Sequence, residues 1–213
     1  MEPLSALLGV AGFALGLAAD RFATRWPEHD EEHPPGRAVD WRTAATALIG
    51  ALAFGLLPLR FGGDPLAFVV FGAWFVTLVV GLATDLDQRL LPDLLTLPVI
   101  PVAFIYALSG ANPLVGPELL LAVAAALVIP AVLFLPSIPF GAGAFGIGDV
   151  KLLVGVGLLA GGSRAMGSVV FALAVAGAVL VILLAARRIG RRTYVPFGPF
   201  FILGALWAVL LRG

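Results

Sequence analysis

Apolar residues run along this chain in eight blocks, at about 4–19, 43–59, 66–84, 94–110, 118–137, 150–162, 165–186 and 196–211. Most approach roughly 17–22 residues, the length a helix needs to cross a bilayer core about 30 Å thick. A helix that is hydrophobic all round is buried in protein or lipid. The pattern therefore predicts an all-α, polytopic integral membrane protein of about eight transmembrane segments, the sixth short and rich in glycine. The only polar stretch of any size is DRFATRWPEHDEEHPPGRAVDWR, residues 20–42. Two parts are expected: residues 1–42, a first span with a short cysteine-free loop, and residues 43–213, the membrane-embedded core. The opening MEPLSALLGVAGFALGLAADRF lacks the basic n-region and A-x-A site of a secretory signal and reads as a retained span.

Composition agrees with that picture. The 213 residues are 61% hydrophobic and 12% charged, against about a quarter charged in soluble domains, and mean hydropathy is +1.06. A net charge of zero gives no reason to expect nucleic acid. The absence of cysteine removes disulfides, thiolate metal sites and cysteine nucleophiles together.

The 13 basic residues test the topology. With the 20–42 loop in the cytoplasm and every block crossing, the inside set is Arg21, Arg25, Arg37, Arg42, Arg89, Lys151, Arg187, Arg188, Arg191 and Arg192, ten in all. The outside set is Arg60, Arg164 and Arg212, three in all. This is a strong positive-inside bias and sets both termini outside. It also brings Asp85, ending the third block, and Asp149, opening the sixth, to the same cytoplasmic face.

Ionisable groups at membrane depth are costly, which makes Asp85, Asp87, Asp93, Glu118 and Asp149 candidates for function. Asp85 and Asp87, two positions apart, face opposite sides of a continuing helix. Pro92 stops that helix and LLPD begins a new segment. In GAFGIGDVKLL, residues 143–153, Gly146 and Gly148 allow close backbone approach beside a carboxylate. Irregular backbone at this depth survives only inside protein or along a wet cavity. The plainer alternative is a helix entry with Asp149 as its N-cap. Brought together, two carboxylates make an aspartyl hydrolase site, because close like charges share one proton. For Asp85, at the negative end of the third segment, and Asp149, at the positive end of the sixth, the helix dipoles favour the shared proton on Asp85.

The run Asp85-Leu-Asp-Gln-Arg-Leu-Leu-Pro-Asp-Leu-Leu-Thr-Leu-Pro98 resembles the D-x-D-x-x-L-L-P-D-x-L-T-L-P signature of bacterial prepilin peptidases. GIGDVKLL (146–153) is similar to their GxGDxKLL motif, and VPFGPFFILG (195–204) to their PFGPFxxxG segment. The resemblance implies an aspartyl endopeptidase of the cytoplasmic (inner) membrane. It would cleave the leader of type IV prepilins or pseudopilins, its protein partners beside the lipid bilayer. It implies Asp85 and Asp149 as the catalytic pair, with Gly146, Gly148, Lys151, Asp87, Asp93 and Arg89 supporting. For Asp87, Arg89 and Asp93 a solvated cytoplasmic turn is the competing reading. No cofactor is implied for the peptidase.

GLAADRFATRWP (16–27) is similar to the entry of the family's N-terminal domain, keeping Gly16, Arg25 and Pro27 with Asp20 where Asn is usual. Bifunctional members carry two CxxC pairs there that bind zinc, and they N-methylate the new N-terminus with S-adenosylmethionine. Here the cysteines are missing, so S-adenosylmethionine is implied only if that second activity is retained. His29 and His33 in HDEEH have i, i+4 spacing that suits two metal ligands, but Pro34 follows at once; a solvated acidic loop is the expectation and no metal is predicted. Two other readings stand beside this one. An intramembrane protease of the signal-peptide-peptidase type also uses GxGD but brings YD and PAL motifs not found here. A small proton-coupled transporter would use Asp85 and Asp149 as a relay and is expected to show an inverted repeat.

Overall fold

The computed structural model describes residues 2–29, 34–140, 145–188, 190 and 196–212. Those residues form helices and connecting turns with no strand among them: α1 Glu2–Ala23, α2 Trp41–Phe61, α3 Pro65–Gln88, α4 Asp93–Thr96, α5 Val99–Leu108, α6 Leu119–Phe134, α7 Ile147–Ala160, α8 Gly162–Ala185 and α9 Gly198–Leu210. A 3₁₀ turn, Leu135–Phe140, follows α6. Among the described residues five stretches are long and apolar enough to cross a membrane: Glu2–Ala23, Trp41–Phe61, Pro65–Gln88, Leu119–Ile138 and Gly162–Ala185. The chain is an all-helical polytopic membrane protein. Asp93–Leu108 and Gly198–Leu210 are shorter apolar helices. α7 has 14 residues, about 21 Å of helix, well short of a bilayer core.

Prolines explain where the apolar blocks break. The 94–110 block divides into α4 and α5 at Pro98, and the 118–137 block leaves α-helical geometry at Leu135, just before Pro136. α3 ends earlier than Pro92 requires. Arg89 adopts a left-handed conformation (φ 56°) and its N–H donates to the Asp85 carbonyl at 2.9 Å, closing the helix. Pro92 then precedes α4 as its N-cap.

Side chains too small to hold helices apart bring α1 and α2 together. A Cβ on Gly12 would stand 2.2 Å from the Gly50 carbonyl oxygen, and one on Gly16 would stand 2.4 Å from that of Thr46. This is the small-xxx-small contact by which helices associate in lipid, where apolar burial gives no driving force. α3 runs through the centre, burying Phe71, Phe75 and Leu78 against Leu57 and Phe61 of α2 and Phe201 and Ile202 of α9. Phe61 stacks on Phe71 at 4.3 Å between ring centres.

α7 is enclosed, with Leu152, Leu153, Val156 and Leu159 all buried. Its far end is held by Asn112 from the α5–α6 connection, whose Nδ2 donates to the Leu159 carbonyl at 3.0 Å. Asn112 Oδ1 accepts from the Leu114 N–H at 2.9 Å. Each bond satisfies a buried backbone group. Together they fix the depth at which the N-terminus of α7 meets the C-terminus of α3.

The described parts of the 20–42 stretch, residues 20–29 and 34–42, pack against the helix ends; Asp30, Glu31, Glu32 and His33, where a solvated acidic loop is expected, lie outside the described residues. α1 continues through Asp20 to Ala23, and residues 34–40 lie across the ends of α1, α2 and α3. Arg37 joins all three: its guanidinium donates to Asp20 Oδ1 at 2.5 Å, Asp40 Oδ1 at 2.5 Å and Asp87 Oδ1 at 2.6 Å. Asp20 is fully buried and also accepts from Arg21 and from Thr43 Oγ1. A buried carboxylate persists only with such partners. Arg37→Ala strips the shared donor from Asp20 and Asp87 and is expected to destabilise the protein by about 3 kcal/mol, read as a lowered melting midpoint in detergent. An unchanged midpoint would mean that water replaces the guanidinium without cost.

Candidate active site

Asp85 lies in the last turn of α3, 4% exposed, and Asp149 in the first turn of α7, 7% exposed. They come from different helices and interact electrostatically. Both line one cavity of about 590 Å³, together with Arg89, Asp93, Lys151 and Phe197. Gly146 and Gly148 border it as well.

The local sequence explains each placement. The N-cap of α7 is Gly146, in extended conformation, so Asp149 is not the N-cap that the plainer reading offered. It stands three residues in, its carboxylate turned back toward the Gly146 backbone N–H. This is the reach that an acidic residue makes at the third position of a helix. Gly148 lets α7 lie against the turn after α3: a Cβ there would stand 2.8 Å from Leu91 Cβ and 3.0 Å from the Leu91 carbonyl oxygen. The LLPD turn and the GIGD turn are thus in van der Waals contact, and that contact sets the spacing of the two carboxylates.

A third element closes the site, the PFGPF segment, in which the sequence motifs single out no site residue. Gly198, the first residue of α9, backs directly onto Asp85. A Cβ on it would stand 2.5 Å from Asp85 Oδ2 and 2.8 Å from Cγ. Asp85 Oδ2 is buried without a hydrogen-bond partner among the described residues. Glycine inside PFGPF is the one signal in the sequence that pointed here.

The supporting candidates divide. Lys151 Nζ and Asp93 Oδ1 form an ion pair at 2.5 Å that ties α7 to α4 at the cavity wall, well exposed on the Asp93 side. Such a pair contributes little stability. Arg89 lines the cavity and acts electrostatically on Asp85. Asp87 does not belong to the cavity. It projects from the other side of α3 into the Arg37 network, 5% exposed, with His29 Nε2 at 3.4 Å and Arg42 Nη1 at 3.7 Å. The solvated turn offered as its alternative reading is absent at Asp87.

His29 is held, not solvated: its ring is also 3.1 Å from Gln88 Nε2. His33 lies outside the described residues. Among the described residues no three His, Cys, Asp or Glu side chains gather as metal ligands. Purified protein is expected to contain no stoichiometric zinc and to be unaffected by chelator. Elemental analysis finding about one zinc per chain, lost in His29→Ala, would reverse that expectation.

A helical membrane protein that sets two buried aspartates on one cavity defines a class. The model of the type IV leader peptidase family matches residues 70–185, which include both aspartates. The chain belongs to that family. It is 35% identical over 158 residues to a prepilin leader peptidase/N-methyltransferase of Burkholderia pseudomallei, covering 73% of this chain and 50% of the relative. It is 32% identical to one of Aeromonas salmonicida, over 61% of this chain and 44% of the relative. With that of Pseudomonas aeruginosa it shares 29% identity over 83% of this chain and 60% of the relative. The chain thus spans about half the length of the curated relatives it matches. No solved structure matches it.

Proposed function

We propose that this protein is a prepilin leader peptidase in which Asp85 and Asp149 are the catalytic pair. The observation that carries the reading is the meeting of these two carboxylates, from α3 and α7, in a single cavity at one end of the bundle. Of the two, one is ionised and one protonated, since two buried like charges do not both ionise. The ionised carboxylate takes a proton from a water molecule as its oxygen attacks the scissile carbonyl carbon. The protonated one donates its hydrogen bond to the carbonyl oxygen, which becomes the hydroxyl of a tetrahedral intermediate. Collapse breaks the C–N bond; the proton taken from water goes to the leaving amine, and the proton on the other carboxyl is restored.

Helix ends support a division of roles between the two. Asp85 sits where α3 presents its negative end, with an oxygen unpartnered among the described residues, whereas Asp149 faces the backbone N–H at the positive end of α7. Asp85 therefore carries the proton and Asp149 faces the water. Infrared spectra of the single Asn variants test this: a protonated-carboxyl band that survives in Asp85→Asn and vanishes in Asp149→Asn would reverse the roles.

The substrates are type IV prepilins or pseudopilins, cleaved at the cytoplasmic face of the inner membrane. The positive-inside count supports that orientation, and the relatives' names support the substrate class. Co-expression with a candidate prepilin, followed by mass spectrometry of its N-terminus, tests both site and substrate. A trimmed N-terminus is expected; an intact leader with every candidate would refute the reading. The same spectrum shows whether the new N-terminus is methylated, an activity for which this chain lacks the family's cysteines.

A further inference from the structure

The end of the bundle opposite the dyad carries an arrangement the peptidase reaction does not use. Arg212, just beyond α9, donates from Nη1 to the carbonyl of Ser163, the neighbour of Arg164 in the first turn of α8, and Arg164 feels the charges of both Arg212 and Arg60, in the last turn of α2. Three like charges held together raise the energy of the fold unless an anion sits among them. None supplies itself from the described residues. Asp64 caps α3, accepting from the Ala67 N–H at 2.9 Å, and neither it nor Glu118 or Glu2 pairs with these arginines. Arg164 Nε is buried with no hydrogen-bond partner among the described residues. The N-terminus of α8, which holds Arg164 in its first turn, has no side-chain cap.

Next to these charges the surface is apolar. A groove of about 520 Å³ runs from Ser163 and Arg212 down between α8 and α9, lined by Met166, Val170, Phe171, Ala174 and Trp207. Phe171 and Trp207 stack at 4.7 Å to form its floor. Met166 and Val170 are more than half exposed on α8, a helix long and apolar enough to cross a membrane, and the groove is open along that side. Gly167 makes room at its head. A Cβ there would overlap Arg212 Nη1, the nitrogen that donates to the Ser163 carbonyl at 2.6 Å.

We propose that this end of the bundle binds an anionic phospholipid, its phosphate held by Arg60, Arg164 and Arg212 and one acyl chain lying in the α8–α9 groove. A phosphate supplies acceptor oxygens for several guanidinium donors at once. The acyl chain matches a groove that is apolar and open along the side of α8. A soluble anion would leave the groove unexplained, and a zwitterionic headgroup would bring its own cation into the arginine cluster.

The test is the melting midpoint of the purified full chain in neutral detergent, titrated with phosphatidylglycerol, phosphatidylcholine or glycerol phosphate. Phosphatidylglycerol alone is expected to raise it. In Arg60→Gln/Arg164→Gln/Arg212→Gln the apparent affinity for phosphatidylglycerol should fall by about fivefold for each arginine removed. Gly167→Val keeps every charge but evicts the Arg212 guanidinium, and it should weaken the same response. Should the triple variant fail to fold, the wild-type titrations and Gly167→Val still decide. An equal response to phosphatidylcholine, a full response to glycerol phosphate, or an undiminished response in both variants would overturn the assignment.

Discussion

Asp85→Asn and Asp149→Asn are each expected to abolish leader cleavage while leaving the protein folded and inserted. General acid–base groups contribute roughly 10²–10⁴ in rate apiece, and the two carboxylates act on one water and one carbonyl, so either loss should cost about 10³-fold or more. Asparagine preserves shape but can neither accept the proton from water nor exchange one with its partner. Removing one of two interacting carboxylates also relieves their repulsion, so the melting midpoint should hold or rise. Asp87→Asn provides the contrast. Its carboxylate is bound to Arg37 on the other side of α3, so the variant should lose stability first and activity only as far as the fold loosens. Cleavage of a purified prepilin, with the midpoint measured on the same preparations, checks all three. Near-normal cleavage by either dyad variant would remove that residue from the chemistry.

The helices were legible because a membrane span leaves a long, uniform apolar signature, and the breaks were legible where proline forced them. Asp85 and Asp149 stood out because a carboxylate at membrane depth demands a reason. Turning Asp87 away from Asp85 needed only the helical period. Contacts between distant segments were harder to see. A polar run such as 20–42 reads by default as solvated, and nothing in it announces that Arg37 will meet Asp87, 50 positions along the chain. The glycines Gly12, Gly16 and Gly50 look like ordinary small residues in apolar helices until the backbones they bring together are known. Asn112 sits in a short connection and draws attention only once the Leu159 carbonyl is found buried beneath it. In each case the missing information is which surfaces meet, and composition and period do not carry it.

Gly198 is the sharpest instance, and it yields the second large effect. Gly198→Ala is expected to reduce the cleavage rate by about 10²-fold, the order of loss that a displacement near 1 Å produces in a catalytic group. The added Cβ would stand 2.5 Å from Asp85 Oδ2, closer than any stable contact, so something must give. α9 is poorly able to move, because Phe201 and Ile202, in its first two turns, are fully buried against the core. Asp85 is the softer partner: its carboxylate turns about the side-chain bonds, away from the position facing Asp149. The strain left over should lower stability by about 1–3 kcal/mol. A double-mutant cycle separates this contact from a general weakening of α9. In an Asp85→Ala background the carboxylate is gone, and Gly198→Ala should then cost little in melting midpoint. A Gly198→Ala enzyme that cleaves within about threefold of wild type, or that destabilises both backgrounds equally, would show that Gly198 does not set the position of Asp85.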